Sequence, residues 1–188
     1  MNELLWRLPE SGFDEDDYNL YTGMEGGPKN ATRLYMLVLY GLIRSNGWKH
    51  LVELGSFQGN TTALFARAAA KVGGMVHAYE VDGWRAAQLR DRFHGSSHVV
   101  IHEAHSQRAA PLKEPPDFVF VDGDHTVEGC MADIRCWAPQ VVLGGCMAFH
   151  DAADPLVQQA VAETLPASFS ERILFPGDCG LLLARRVM

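Results

Sequence analysis

The sequence predicts an α/β fold, a doubly wound and mostly parallel sheet that ends in an antiparallel hairpin. Five short apolar runs alternate with helical segments between residues 51 and 149. Such short and nearly continuous runs are typical of parallel strands that are buried on both faces. Two further apolar runs, 172–175 and 181–184, are separated only by a short turn that contains PGDCG. This is hairpin spacing, and it makes the last two strands antiparallel.

Each element follows from its own pattern. The predicted strands are 51–54, 75–80, 98–102, 118–121, 146–149, 172–175 and 181–184, and the helices between them are Asn60–Lys71, Gly83–Phe93, Thr126–Ala138 and Pro155–Leu165. Glycines follow the first of these helices, and a proline follows each of the last two, as is common at helix ends. In the third helix, Val127, Met131, Ile134 and Ala138 have helical spacing, which predicts the face that packs on the sheet.

The residues ahead of the first strand have a different character. With 188 residues the chain has the length of one domain, which we divide into a cap or oligomerisation segment, 1–47, and a core, 48–188. The helix predicted over Asn30–Ser45 is apolar on almost every face. Such a helix is buried from two sides, either under the cap or against a second subunit. We therefore expect a homodimer.

Composition narrows the function classes. The chain is 47% hydrophobic and 21% charged, as in soluble globular proteins, and its net charge of −7 disfavours nucleic acid as a partner. A secretory signal and a membrane span are both absent from the pattern, so a cytoplasmic location without membrane contact is expected. The four cysteines lack CxxC spacing and are interpreted as reduced packing residues.

A glycine-containing turn follows the first strand. The stretch from Glu53 to Gly59 reads ExGxxxG and leads into the helix that opens with Asn60. Glycines at this place let a ligand approach the backbone, although a tight turn without ligand has the same pattern. Glu53 would repel a pyrophosphate and suits a ligand with an ammonium or sulfonium group. The candidate binding residues of this turn are Glu53, Gly55, Ser56, Phe57, Gly59 and Thr61.

Glu80 ends the second predicted strand, 21 residues after Gly59. A carboxylate at this spacing accepts hydrogen bonds from both hydroxyls of a ribose in nucleotide-binding folds. The alternative is a solvated residue at a strand end, with the adjacent Asp82 capping the next helix. Together with the turn, Glu80 predicts that the chain binds a nucleoside.

The segments VELGSFQGNTT, HAYEVD and FVFVDGDH together resemble the class I S-adenosylmethionine-dependent methyltransferases over residues 48–185. The stretches FVFVDGDHTVEGCMADIRCWAP and GGCMAFHD are similar to a narrower group, which includes catechol O-methyltransferase, macrolide sugar O-methyltransferases and cephalosporin hydroxylase-type proteins. The resemblance implies a Rossmann-like sheet of seven strands with the last one antiparallel. It also implies S-adenosylmethionine as cofactor and metal-assisted methylation of a small hydroxylated acceptor, a sugar or a polyphenol.

Acidic residues and a histidine follow the fourth and fifth strands. Asp122 ends the fourth, and His150 and Asp151 end the fifth, so all three should face one crevice at the edge of the sheet. They are candidate ligands of a divalent cation, Mg²⁺ or Mn²⁺, and Asp122 is also a candidate for contact with the cofactor. His150 stands where the resembling group has a polar or acidic residue, which shifts the preference from Mg²⁺ toward Mn²⁺ or Fe²⁺. The alternatives are an Asx-type turn at Asp122 and a helix cap at Asp151.

Further histidines extend the candidate site. His125, three residues after Asp122, has the offset at which the resembling enzymes carry their general base, and its alternative is a helix cap. Either His105 or Ser106 is expected to border the adenine, again from the resemblance. A second metal site formed by His94, His98, His102 and His105 is disfavoured. Strand alternation places His98 and His102 on one face of a predicted strand, whereas His94 and His105 lie in the flanking turns, so the four side chains should not converge.

Two other functions use the same fold. A NAD-dependent oxidoreductase is disfavoured by Glu53 and by the terminal hairpin, since the first repels a pyrophosphate and the second is foreign to the plain dinucleotide fold. A nucleoside-binding protein without turnover is favoured by His150, which departs from the metal-ligand pattern of the resembling enzymes.

Overall fold

The structure is a computed structural model that describes residues 33–177 and 179–188. Most of the segment that the sequence assigns to a cap, 1–47, lies outside the described residues, as does the start of the helix predicted from Asn30. The division into cap and core therefore stays a prediction.

The described chain alternates strands and helices up to the fifth strand, as the sequence predicts. In chain order the elements are α1 (Arg33–Asn46), β1 (His50–Leu54), α2 (Asn60–Val72), β2 (Met75–Glu80), α3 (Gly83–Arg92), β3 (Val99–Glu103), a 3₁₀ turn (Ser106–Arg108), β4 (Phe118–Val121), α4 (Val127–Trp137), β5 (Cys146–His150), α5 (Pro155–Thr164), β6 (Glu171–Phe175) and β7 (Leu181–Arg185). Predicted and observed boundaries differ by one residue at most for the strands.

All seven strands form one sheet in the order β3-β2-β1-β4-β5-β7-β6. The first five strands are parallel, and β7 lies antiparallel between β5 and β6. The chain reverses its direction of travel across the sheet between β1 and β4, which are neighbours. In open α/β sheets such a switch point opens a crevice at the carboxyl ends of the strands. The mostly parallel fold with an antiparallel C-terminal strand is thus confirmed.

The core has one layer on each face of the sheet. On one face α1 and α2 cover β1 and β4, where the ring of Phe118 stacks on Trp48 and meets the edge of Phe65. On the other face Ile134 and Trp137 of α4 are fully buried against the sheet. Because strands β1, β4 and β5 are buried from both sides, their apolar residues run almost without interruption.

Helix α1 is covered by the chain itself. Met36, Leu39 and Ile43 are completely buried in the core that α1 shares with α2 and the sheet, and Leu37 is the large apolar residue of α1 that remains exposed. The sequence left open whether the cap or a second subunit covers this helix. In the structure much of its apolar surface is buried within the same chain, and the homodimer stays a prediction. Among the described residues no helix has both the length and the apolar character to cross a membrane.

Candidate functional site

A cavity of about 800 Å³ opens at the carboxyl ends of the first five strands. Its walls are the turns that follow these strands, from the 3₁₀ turn after β3 to the end of β5. The lining residues are Gly55, Phe57, Tyr79, Glu80, Val81, Arg85, Ala104, His105, Ser106, Gln107, Asp122, Gly123, Asp124, His125, Asp133, His150 and Asp151. The cavity thus lies at the switch point of the sheet, where ligands of open α/β folds bind.

The two glycines of the first turn make room for protein atoms. Gly55 has a φ of +87°, and a Cβ there would lie 2.2 Å from the carbonyl oxygen of Asp122. Gly59 has a φ of +80°, and a Cβ there would lie 2.6 Å from the side chain of Leu89. The turn therefore requires glycine for the approach of the β4 end and of α3. Gly55 also lines the cavity, whereas Gly59 is packed away from it.

Glu53 lies beneath the turn, outside the cavity wall. It is 1% exposed, and its Oε2 accepts a hydrogen bond of 2.5 Å from the hydroxyl of Thr62. Burial raises the pKa of this carboxyl to about 8, although the hydrogen bonds from Thr62 and Ser56 oppose the shift. The neighbouring candidates Ser56 and Thr61 are also buried and lie outside the wall. At neutral pH Glu53 is therefore mostly protonated in the folded protein.

Glu80 lies in the cavity wall and is held rigidly. Its Oε2 accepts from the backbone N–H of Phe57 and its Oε1 from that of Asp82, both at 2.9 Å. Asp82 itself caps α3 by accepting from the N–H of Arg85, which confirms the capping role considered for it. Phe57 has a φ of +47°, and the guanidinium of Arg85 lies over its ring at 4.6 Å. Glu80 thus joins the turns after β1 and β2.

Both candidates for the nucleobase wall, His105 and Ser106, line the cavity after β3. The two differ in their surroundings. His105 is exposed, whereas the hydroxyl of Ser106 donates a hydrogen bond of 2.5 Å to Asp133 and its carbonyl accepts from the indole N–H of Trp137 at 3.1 Å. Ser106 is therefore the more rigidly placed of the two.

Four polar side chains converge at the other side of the cavity, after β4 and β5. The Nδ1 of His150 lies 3.1 Å from Oδ1 of Asp122 and 2.9 Å from Oδ2 of Asp151. The Nε2 of His125 lies 3.5 Å and 3.2 Å from the same two oxygens. The structure thus brings together the four residues that the sequence assigned to metal and base, and we call them the histidine–carboxylate cluster.

Electrostatics within the cluster are strongly coupled. Burial alone would lower the pKa of His150, but the carboxylates of Asp122 and Asp151 outweigh it and raise the pKa to about 10. The hydrogen bond with His150 lowers the pKa of Asp151. His125 is half exposed, and its hydrogen bond with Asp122 raises its pKa. The two carboxylates therefore favour the protonated form of both histidines.

The alternative structural roles fall mainly to other residues. Asp154 caps α5 through the N–H of Leu156, and Asp124 accepts from the N–H of Thr126 in the turn before α4. Asp151 is thus free of a capping role, and its φ of +53° is in the left-handed region, which is uncommon for a residue with a side chain. Strained positions of this kind are frequent at functional sites.

Cys179 adjoins the cluster from the turn before β7, with its Sγ 3.3 Å from Nε2 of His150. All four cysteines are free thiols, and burial raises the pKa of Cys179 and of the other three. The histidines of the disfavoured second site lie elsewhere. His102 stacks on Tyr79 and its Nε2 lies 3.0 Å from Nδ1 of His77, and within the described chain it joins no group of three metal ligands.

Comparison with protein families shows which family the chain matches. Residues 52–152, more than half of the sequence, match a family model described as a methyltransferase domain. The match begins in β1 and ends just after the histidine–carboxylate cluster. The chain belongs to this methyltransferase family. The resemblance to class I methyltransferases that the sequence indicated is confirmed by this match together with the sheet order.

Solved structures share the fold of this methyltransferase at low sequence identity. An S-adenosylhomocysteine-bound methyltransferase from Podospora anserina has a TM-score of 0.69 at 15% identity, covering 94% of this chain and 89% of the other. A putative caffeoyl-CoA O-methyltransferase from Staphylococcus aureus has a TM-score of 0.68 at 15% identity and 81% and 83% coverage. An O-methyltransferase from Bacillus cereus in complex with S-adenosylhomocysteine has a TM-score of 0.66 at 18% identity and 92% and 91% coverage.

Sequence reasoning missed several residues in the cavity wall of this methyltransferase, among them Tyr79, Arg85 and Asp133. Asp133 carried a usable signal. With Cys130, Ile134 and Trp137 it has the spacing i, i+3, i+4, i+7, so a carboxylate stands on the apolar face of α4. Acidic side chains are rarely fully buried without a partner, and this one is 1% exposed.

Proposed function

We propose that this methyltransferase transfers the methyl group of S-adenosylmethionine to a hydroxyl of a small acceptor, such as a sugar or a polyphenol. The observation that carries the proposal is the order of polar groups along one edge of the sheet. From β3 to β5 the cavity wall presents Ser106, Glu80, Gly55, Asp122 and the His150–Asp151 pair.

This order fits an elongated ligand that lies across the strand ends. The five strands are spaced by about 4.8 Å, so the wall spans about 19 Å. A nucleobase beside Ser106 places the ribose at Glu80, the next strand, and the sulfur near Gly55, on the strand after that. The reacting carbon then faces the histidine–carboxylate cluster. The chemical order of the donor is thus the spatial order of the wall.

Glu80 is prepared to accept the ribose hydroxyls. Two backbone N–H groups fix its carboxylate, so that little side-chain freedom is lost when a ligand binds. Each carboxylate oxygen keeps a further lone pair for a hydroxyl donor. Arg85 and Phe57 close the wall beside it.

The histidine–carboxylate cluster fits a divalent cation by its donor set. Two carboxylate oxygens and two imidazole nitrogens lie 2.9–3.5 Å apart in the ring of contacts described above. Ligands about 2.1 Å from one ion stand about 3 Å from each other, so the spacing is suitable. Asp122, His150 and Asp151 would hold the ion, and imidazole favours Mn²⁺ or Fe²⁺ over Mg²⁺. A bound cation would lower the pKa of an acceptor hydroxyl.

His125 is the candidate general base. It is the exposed member of the cluster, so an acceptor that enters the cavity reaches it first. The acceptor oxygen loses its proton to the imidazole of His125 and attacks the methyl carbon, the carbon–sulfur bond breaks, and S-adenosylhomocysteine leaves. Asp122 and Asp151 orient the ring and stabilise the imidazolium that forms.

The fold and the cluster disfavour the other functions. The strand β7 lies antiparallel within the sheet, unlike in the plain dinucleotide-binding fold, and this disfavours a NAD-dependent oxidoreductase. Glu53 is buried and mostly protonated, so repulsion of a pyrophosphate by its charge no longer counts against that function. A nucleoside-binding protein without turnover would need neither a base nor metal ligands in its cavity. In this chain, each histidine of the cluster lies within 3.5 Å of both carboxylates.

Donor binding is tested by calorimetric titration with S-adenosylhomocysteine and with NAD. We expect S-adenosylhomocysteine to bind more tightly, and Glu80→Ala to weaken it about 10- to 100-fold through the loss of charged hydrogen bonds. Glu103→Ala is the matched control, because Glu103 pairs with Glu80 in register but lies exposed and bound to Arg90. Tighter binding of NAD, or equal effects of the two variants, would contradict the proposal.

The cation and base are tested separately. With Mn²⁺ as the probe, electron paramagnetic resonance should detect binding to the wild type and a loss of binding in Asp151→Asn. EDTA should abolish transfer with little change in donor affinity. His125→Ala should lower kcat by about 10²- to 10⁴-fold and flatten the acidic limb of the pH profile. Full activity in EDTA would rule out the cation and leave His125 acting alone.

A further inference from the structure

Asp133 is a buried carboxylate in the wall of the donor cavity. It lies in the middle of α4 and is 1% exposed. Its Oδ1 accepts the 2.5 Å hydrogen bond from Ser106, whereas its Oδ2 has no hydrogen-bond partner among the described residues. An unsatisfied buried acceptor costs about 1–3 kcal/mol, and more when it is charged. Each such group calls for an explanation, and an acceptor that serves to bind a ligand is one.

The position of Asp133 restricts which part of a ligand it meets. Ser106 follows β3, and Gly123 follows β4, where a Cβ would lie 3.6 Å from Oδ2 of Asp133. Because Gly123 has no side chain, nothing of that residue stands over the carboxylate. The proposed ligand has its nucleobase beside Ser106, and the hydrogen bond from Ser106 to Asp133 places this carboxylate on the same side of the cavity.

The carboxylate of Asp133 requires a ligand group that donates a hydrogen bond. Burial raises the pKa of this carboxyl to about 6, so that at neutral pH it is mostly ionised and only accepts hydrogen bonds. In the proposed ligand the ribose hydroxyls belong to Glu80, and the ammonium group is at the methionine end. The exocyclic amino group is the donor that remains on the nucleobase.

We propose that Asp133 accepts a hydrogen bond from the 6-amino group of the donor's adenine and makes the site selective for 6-aminopurines over 6-oxopurines. This inference rests on the proposed function. The bond between Ser106 and Oδ1 fixes the carboxylate and leaves Oδ2 to the base. A 6-oxo group would set one acceptor against another in a buried place, where unpaired polar groups strongly disfavour binding. Asp133 is thus a specificity residue and takes no part in methyl transfer.

The test compares three ligands by calorimetry: S-adenosylhomocysteine, S-inosylhomocysteine, and the analogue with unsubstituted purine. The wild type should bind the 6-amino ligand about 10- to 100-fold more tightly than either of the others. Asp133→Asn, whose amide can donate to a 6-oxo group, should reduce or reverse the preference over S-inosylhomocysteine. Asp124→Asn is the control, since Asp124 also lines the cavity but is exposed.

The outcomes separate the two proposals. If the wild type binds S-adenosylhomocysteine but holds all three ligands equally, the role of Asp133 is wrong and the proposed function stands. An Asp133→Asn variant that folds and keeps the wild-type preference would likewise overturn it. If that variant does not fold, the purine analogue decides with the wild type alone. If the wild type binds no S-adenosylhomocysteine, both proposals fail.

Discussion

At the scale of single residues, Gly55 shows how closely the segments after β1 and β4 approach one another beneath the cavity. A Cβ there would meet backbone atoms of Asp122 and Gly123, which cannot move without displacing β4. We therefore expect Gly55→Ala to destabilise the fold by about 3 kcal/mol or more, because steric overlap adds to the cost of a positive φ. Gly73→Ala is the control, since Gly73 has a φ of +68° but open space around it, and it should cost only about 1–2 kcal/mol. Urea unfolding measures both, and equal losses would contradict the argument.

Glu53 should make stability depend on pH. Its pKa is 4.5 in the unfolded chain and about 8 in the folded protein, so between these values the folded state holds one proton more. Raising the pH across this window then lowers the free energy of unfolding, by up to about 1.4 kcal/mol per pH unit. Glu53→Gln keeps an acceptor for Thr62 and should remove this slope. Urea titrations at pH 5, 6, 7 and 8 measure it.

The control for this slope is Glu103→Gln, an exposed carboxylate in a surface ion pair. It should follow the wild type at every pH. If Glu53→Gln also follows the wild type, the carboxyl is ionised in the folded protein and its pKa is not raised.

Which site residues can be predicted depends on what fills the space around them. Glu80 and His150 could be predicted to face the cavity because strand ends of a parallel sheet meet at one edge. The sequence predicted that Gly59 lies beside a ligand. In the structure, the side chain of Leu89 from α3 occupies the space that a Cβ of residue 59 would need. A sequence shows that a glycine is needed and does not show whether a ligand or another segment comes close. Asp133 was missed for the complementary reason, since its burial depends on Ser106, which is 27 residues away in the chain.

At the scale of elements, the strands were predictable because their signal is local. Buried parallel strands are short apolar runs, and glycine, proline or a cap ends each helix between them. The buried face of α4 was predicted less well. Val127 and Met131 were expected on it but are only partly buried, whereas Cys130 and Trp137 are buried. The segment has apolar residues on two neighbouring faces, and the choice between them depends on Tyr79 and Ser106, against which Trp137 packs.

Helix α1 supports a prediction at the same scale, because it is part of the core of one chain. Leu39→Ala should cost about 2–5 kcal/mol through the loss of a fully buried side chain and the cavity left behind. Leu37→Ala, on the exposed side of the same helix, should cost less than about 1 kcal/mol. Urea unfolding at low protein concentration measures both. Equal effects, or a cost of Leu39→Ala that vanishes on dilution, would indicate that α1 packs on a second subunit instead.

At the scale of the whole molecule, the candidate site lies at the carboxyl ends of the parallel strands. This edge of the sheet carries the cavity and the histidine–carboxylate cluster. Phe57 and Asp151, which lie there, are non-glycine residues with a backbone φ in the left-handed region. A second and smaller cavity of about 260 Å³ lies between α5 and the hairpin and is lined mainly by apolar side chains such as Val157 and Leu182. The polar order described above is found in the large cavity, so a ligand that binds there would contact turns from five strands at once.

This arrangement predicts where a ligand stabilises the molecule. S-adenosylhomocysteine at 100 times its Kd should raise the free energy of unfolding by about 2.7 kcal/mol, which corresponds to about 5–10 °C in Tm. Hydrogen exchange should slow most at the amides of Phe57, Ala104 and Asp122, whose N–H groups donate hydrogen bonds that join neighbouring strand ends. Amides at the opposite edge, such as Met75 and Gly145, should gain only what global stabilisation gives them. Protection centred on the groove between α5 and the hairpin would place the ligand in the smaller cavity, and the donor site would then have to be reassigned.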